Sequence, residues 1–209
     1  MGFLDDLFGK KSKPAAECAP DKPIPFGFMH CWLCVKADSP EDVIQKLGLK
    51  NPRVCGWKDA MNRIKEPNCE EVFVTPVFDG YVLAVNWGID VVARNLCALD
   101  EAAAKFSELQ YFSDIGVVDL FEWVKYVNGK MVRGYSWLSE SGELILNSGE
   151  PTPEEVNLGY TNLIPDNDTD WDDYELADGE MPVEIAAAWG IDPRTVDKYP
   201  PCTGFWCEL

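Results

Sequence analysis

The stretch Leu120-Phe-Glu-Trp-Val-Lys-Tyr-Val-Asn-Gly-Lys-Met-Val-Arg-Gly-Tyr-Ser-Trp-Leu138 decides the fold class. β-branched and aromatic residues crowd both sides of Asn128-Gly129, a dipeptide that accepts the positive φ a type I′ turn needs at both central positions. A two-residue loop there pairs Val127 with Lys130, Tyr126 with Met131, Val124 with Arg133, Trp123 with Gly134, Glu122 with Tyr135 and Leu120 with Trp137. In that register the Trp123 ring covers the bare backbone of Gly134. Glu122 and Arg133 become diagonal neighbours on a face shared with Leu120, Val124, Tyr126, Tyr135 and Trp137. Two readings follow: a structural ion pair, or a binding or catalytic pocket built on Glu122, Arg133, Tyr135 and Trp137.

Working outward, a second turn at Ser141-Gly142 extends the hairpin to a three-stranded meander from Gly116 to Asn147. Upstream, Val72 to Asn86 forms another hairpin around Asp79-Gly80. Pro76 lacks an amide donor, which makes its strand an edge or turns its hydrogen-bonding side outward. Helix signals punctuate the rest. Ser39 caps a helix led by Pro40 and stopped at Gly48, a second helix covers Trp57 to Ile64, and a third covers Leu99 to Leu109. Thr152 and Pro153 open a short helix ending near Gly159, another runs from Pro182 to Trp189, and Asp192-Pro193 begins one further turn. The expected architecture is an α+β domain over residues 26–209, an antiparallel sheet of at least five strands with helices packed on it. Residues 1–25 read as a flexible leader, in which Phe3, Leu4, Leu7 and Phe8 form a short amphipathic segment.

Hydrophobic residues make up 46% of the 209 positions, with eight tryptophans, so the chain buries large flat side chains and folds. Its formal net charge of -18 disfavours nucleic acid and anionic membrane. That charge serves solubility, or encounter with a basic protein partner. The run Asp168, Asp170, Asp172, Asp173 and Glu175 is the expected partner-binding surface. No apolar run long enough to span a membrane and no secretory leader pattern is present, so a cytoplasmic location is expected.

His30 is the only histidine, and a Ser or Cys nucleophile ordinarily needs an imidazole beside it. Consecutive residues of an extended segment point to opposite faces, which places His30 poorly against Cys31. Cys31 and Cys34 have a C-x-x-C spacing, but Cys55 and Cys69 supply no second close pair, so these thiols read as buried small hydrophobes rather than metal ligands. Cys202 and Cys207 bracket a short loop open to disulfide formation under oxidation. Asp166, Asp168 and Asp170 alternate like a calcium loop, but Trp171 stands where that turn needs glycine and Ala177 where the bidentate glutamate belongs. No phosphate-binding or dinucleotide fingerprint occurs, and neither a cofactor nor a metal is expected.

Ser39-Pro-Glu-Asp-Val, Leu47-Gly-Leu-Lys-Asn-Pro-Arg53, Trp57, Val72-Phe-Val-Thr-Pro-Val-Phe-Asp-Gly80, Leu109-Gln-Tyr-Phe112, Trp123 to Glu154 and Ala-Ala-Ala-Trp189-Gly-Ile-Asp-Pro193 together resemble a group of uncharacterised bacterial cytoplasmic proteins. Small acidic proteins of this kind are similar to immunity proteins, which neutralise toxins by covering their active sites. The resemblance implies a non-catalytic domain that neutralises a basic partner such as a toxin. The alternative is an enzyme centred on Glu122.

Overall fold

Local signals set most element boundaries in the computed structural model, which describes residues 18–66, 69–86, 96–161, 163 and 177–209. Strand β1 (Cys31–Lys36) leads to α1 (Pro40–Leu47). The Ser39 hydroxyl accepts the Asp42 amide at 3.1 Å, a cap of the kind that contributes about 1 kcal/mol. At the other end Gly48 takes φ 75° and returns its amide to the last turn. Next come β2 (Lys50–Gly56), α2 (Trp57–Ile64), β3 (Glu71–Val74), β4 (Tyr81–Val85), α3 (Leu96–Ala103) and β5 (Glu108–Ile115). The chain continues through β6 (Leu120–Val127), β7 (Lys130–Leu138), β8 (Glu143–Ser148), α4 (Pro153–Leu158), α5 (Met181–Trp189), a 3-10 helix (Pro193–Lys198) and β9 (Thr203–Glu208).

The nine strands among the described residues form one sheet in the order β2-β9-β3-β4-β1-β5-β6-β7-β8, with every pairing between them antiparallel. This is an α+β architecture with helices on both faces. Side-chain alternation sends Trp32, Phe73, Phe112, Trp123, Tyr135 and Trp206 to one face, beneath α2, α5 and the 3-10 helix. Leu33, Val35, Val74, Leu109, Tyr111 and Val124 go to the other, beneath α1 and α3.

Two sequence expectations are corrected. The strand before Pro76 is no edge: β3 lies between β9 and β4 and ends at Val74, so the missing proline donor costs the ladder nothing. The helix expected to reach Leu109 stops at Ala103, and Leu109 opens the alternation of β5, where burial on two sheet faces outweighs helical spacing. Residues 1–17 of the leader lie outside the described residues. Its final part is already joined to the body, because Asp21 exchanges backbone hydrogen bonds with Cys202. Asp21 also accepts the Trp57 and Lys58 amides through its two carboxylate oxygens at 2.6 and 2.9 Å. Gly56 has no side chain to cap α2, and Asp21 caps it from outside.

Candidate functional site

The meander places Glu122 and Arg133 on opposite faces of the sheet. Val127 pairs with Lys130 and Tyr126 with Met131, but Lys125 then faces Arg133, Trp123 faces Tyr135 and Glu122 faces Ser136. One extra residue on β7, Val132, makes a β-bulge between these two registers. Because side chains alternate with period two, that residue reverses the face of everything after it. The proposed Glu122–Arg133 pair is therefore corrected, as is the cover over Gly134. Leu146, not Trp123, lies over that glycine, at 2.8 Å from the position a Cβ would occupy.

Glu122 is fully buried and accepts a hydrogen bond from Ser136 Oγ at 2.8 Å, with Tyr111 OH at 3.5 Å. Burial, reinforced by the Glu122 charge, pushes the Tyr111 phenol well above its ordinary value. Arg133, also buried, instead meets Glu155 of α4, Nε to Oε1 at 2.8 Å. Its Nη1 donates to Asn147 Oδ1 at 2.7 Å and to the Gly134, Ser148 and Gly149 carbonyls. Glu155 further accepts the Trp123 indole N–H at 2.9 Å and the Thr152 amide at 2.7 Å, completing a capping box. Tyr135 stacks on Trp123 at 4.4 Å and donates its hydroxyl to the Leu163 carbonyl. Trp137 shares this face and donates to Ser139 Oγ.

Of the four residues expected to share a pocket, Arg133 and Tyr135 line a cavity of about 450 Å³ with Asn147, Tyr160 and Leu163. Glu122 and Trp137 are not among its lining residues. Glu155 was the participant sequence reasoning missed, although Thr152-Pro-Glu-Glu155 carries the spacing of a capping box.

A second cavity, about 160 Å³, opens where β1 begins and β4 and β5 end, between Met29, His30, Cys31, Ile64, Asn86 and Asp114. Its backbone is unusual. Met29 and Asn86 have φ of 57° and 68°, and Asp119 in the neighbouring hairpin tip has 49°. Among the described non-glycine residues with positive φ, Met29 is the one that is neither Asn nor Asp, and such a conformation costs about 1–2 kcal/mol. Asp114 holds it there by accepting the Met29 amide at 2.9 Å. Burial raises the Asp114 carboxyl, with Asp119 and Asp178 adding to the effect. His30 donates from Nδ1 to the Phe28 carbonyl at 2.5 Å, and burial lowers its imidazole.

That lowering has a testable sign. Just below 6.5, the ordinary value for His30, the unfolded chain binds more protons than the native one, so acidification destabilises the fold. Asp114, being raised, acts oppositely at lower pH, from 3.8 up to its raised value. His30→Gln is expected to flatten the loss of urea midpoint between about pH 7 and about pH 5.5 relative to wild type. Identical slopes in the two proteins would remove this role from His30.

Cys31 and Cys34 pack on opposite faces, as residues three apart on a strand must. Cys55 and Cys69 join the Cys34 face. Burial raises the Cys34 thiol, and burial with Asp59 pushes Cys55 up to about 12, leaving neither a ready nucleophile. Cys202 and Cys207 also divide between the faces, and an extended strand separates residues five apart by roughly 16 Å. The possibility of a Cys202–Cys207 disulfide under oxidation is thereby corrected. Among the described residues no group of three or more His, Cys, Asp or Glu is placed to hold a metal, and no helix is long and apolar enough to cross a membrane. Asp168, Asp170, Asp172, Asp173 and Glu175, with the calcium-like Asp166, lie outside the described residues. No protein-family model, curated protein or solved structure matches the chain.

Proposed function

We propose that the protein is a non-catalytic, acidic protein-binding domain of the cytoplasm that captures a basic partner, in the manner of an immunity protein neutralising a toxin. The observation that carries this reading is the charge balance: 36 Asp and Glu against 18 Lys and Arg. Such a surplus steers positively charged macromolecules toward the surface and accelerates their encounter. The interior adds support, because the ionisable groups with clear partners are spent on the fold. Arg133 is taken by Glu155, and Glu122 is engaged by Ser136. The enzyme alternative needed Glu122 beside the aromatic cavity, whereas the cavity residue Arg133 belongs to the opposite sheet face.

The test is salt dependence. A partner retained on the immobilised protein at about 50 mM salt is expected to elute by about 500 mM, since the Debye length shrinks several-fold over that range. Retention indifferent to salt, or no retained partner, removes the basic-partner reading.

A further inference from the structure

The loops around the smaller cavity leave four large apolar side chains in water. Met29 is 68% exposed and Val117 83%, with Phe28 and Val118 beside them in sequence and also exposed. The two loops meet: the position of a Cβ on Gly116 is 3.6 Å from Met29 Cγ. Carboxylates border the patch. Asp114 reaches across to hold the Met29 amide, Asp119 follows Val118 in the same hairpin tip, and the position of a Cβ on Gly179, next to Asp178, is 3.3 Å from Asp114 Oδ2. The acidic run ends in sequence at Glu175, three residues before Asp178.

A hairpin tip ordinarily carries polar turn residues, and an exposed methionine gains nothing from the left-handed region. Exposed apolar residues beside negative charge, with Met29 among them held at a conformational cost, have the composition of a binding hot spot: an apolar centre that is desolvated on contact and a charged rim that selects the partner.

We infer that Phe28, Met29, Val117 and Val118, with the exposed Asp119 and Asp178 and with buried Asp114 holding the Met29 loop from beneath, form the docking surface for a protein segment in which apolar residues are flanked by lysine or arginine. This rests on the basic-partner reading and assigns it a place on the molecule. Charge complementarity fixes the occupant: the carboxylates disfavour an acidic segment and a second copy of this chain, which carries the same charges.

The experiment uses the full chain, isotope-labelled for NMR, and two synthetic peptides. One places Leu-Phe-Leu between pairs of lysines, and the other replaces that triplet by Ser-Gly-Ser at the same charge. The apolar peptide is expected to bind at least about fivefold more tightly. Its shifts should centre on residues 28–31, 114–119 and 178–179. Val117→Ser and Met29→Asn should each bring its affinity toward that of the Ser-Gly-Ser peptide. Asparagine takes positive φ more readily than methionine, so Met29→Asn should melt no lower than wild type while binding less, which separates lost contact from lost fold. Equal affinities for the two peptides would overturn the docking surface and leave the basic-partner reading standing. Tight binding that maps elsewhere, or that survives both substitutions, would overturn it too. If neither peptide binds, the docking surface falls, and salt-dependent retention of a partner decides the basic-partner reading.

Discussion

Glu155→Ala is expected to lower the unfolding free energy by about 3–5 kcal/mol, the range for breaking a buried ion pair by removing one member. The size follows from what the carboxylate holds. Arg133 is 2% exposed, and its charge would lose the only carboxylate with which it forms an ion pair among the described residues. The Trp123 indole N–H and the Thr152 amide lose their acceptor in the same step. Thr152→Ala removes the cap and the acceptor of the Trp189 indole N–H at 3.1 Å but leaves the ion pair, and should cost about 1–2 kcal/mol, which separates the helix end from the ion pair. Replacing both charges, Arg133→Met with Glu155→Leu, should recover much of the loss, because no charge is then stranded. Urea midpoints of the four proteins decide it. A loss under about 1 kcal/mol for Glu155→Ala would mean that Arg133 reaches water or another acceptor.

Trp123→Ala is expected to cost a similar amount, about 3–5 kcal/mol, as large-to-small changes of buried aromatics do. The ring is fully buried, stacks on Tyr135 and donates to Glu155. Trp123→Phe keeps most of the stack and loses the donor, so about 1–2 kcal/mol is expected. The two residues touch, so their losses should not add: Trp123→Ala with Glu155→Ala should cost clearly less than the sum, and strict additivity would break the connection drawn between them. The same variant reports on strand register. Were Trp123 lying over Gly134, removing the ring would leave Tyr135 undisturbed; with the bulge at Val132, the near-ultraviolet dichroism of Tyr135 should change.

What the sequence revealed and what it concealed divide along one physical line. Ser39-Pro40, Thr152-Pro153, Asp79-Gly80 and Asn128-Gly129 carry their structural meaning in their own chemistry, as hydroxyl acceptors, ring-fixed φ and tolerance of positive φ. Asp79 and Gly80 have φ of 47° and 84°, and Asn128 and Gly129 have 51° and 72°. Val132 carries no such mark. A valine is equally at home in a regular strand and in a bulge, so the register of the candidate pocket was lost at a single residue. β2 was hidden for another reason. Lys-Asn-Pro-Arg-Val-Cys-Gly56 is mostly exposed along an edge and contains a proline, so neither alternation nor apolar content signals a strand. The apolar patch was beyond sequence reasoning altogether. Met29 and Val117 are distant in the chain, and only the start of β1 and the end of β5 at the same end of the sheet make them neighbours.

The place of β9 has a consequence for how the molecule is made. It is last in the chain but second in the sheet, between β2 and β3, with Cys202 just ahead of it bonded to Asp21. During synthesis, β2 cannot find its partner until residues beyond 203 have left the ribosome, so one flank of the sheet stays open while the hairpins from β3 onward can already close. Contacts of such long sequence separation form late and slowly, and an unpaired strand edge is exposed to other chains throughout that delay. Pro52 within β2 and the irregular register where it meets β9 make the waiting strand a poor template for intermolecular pairing.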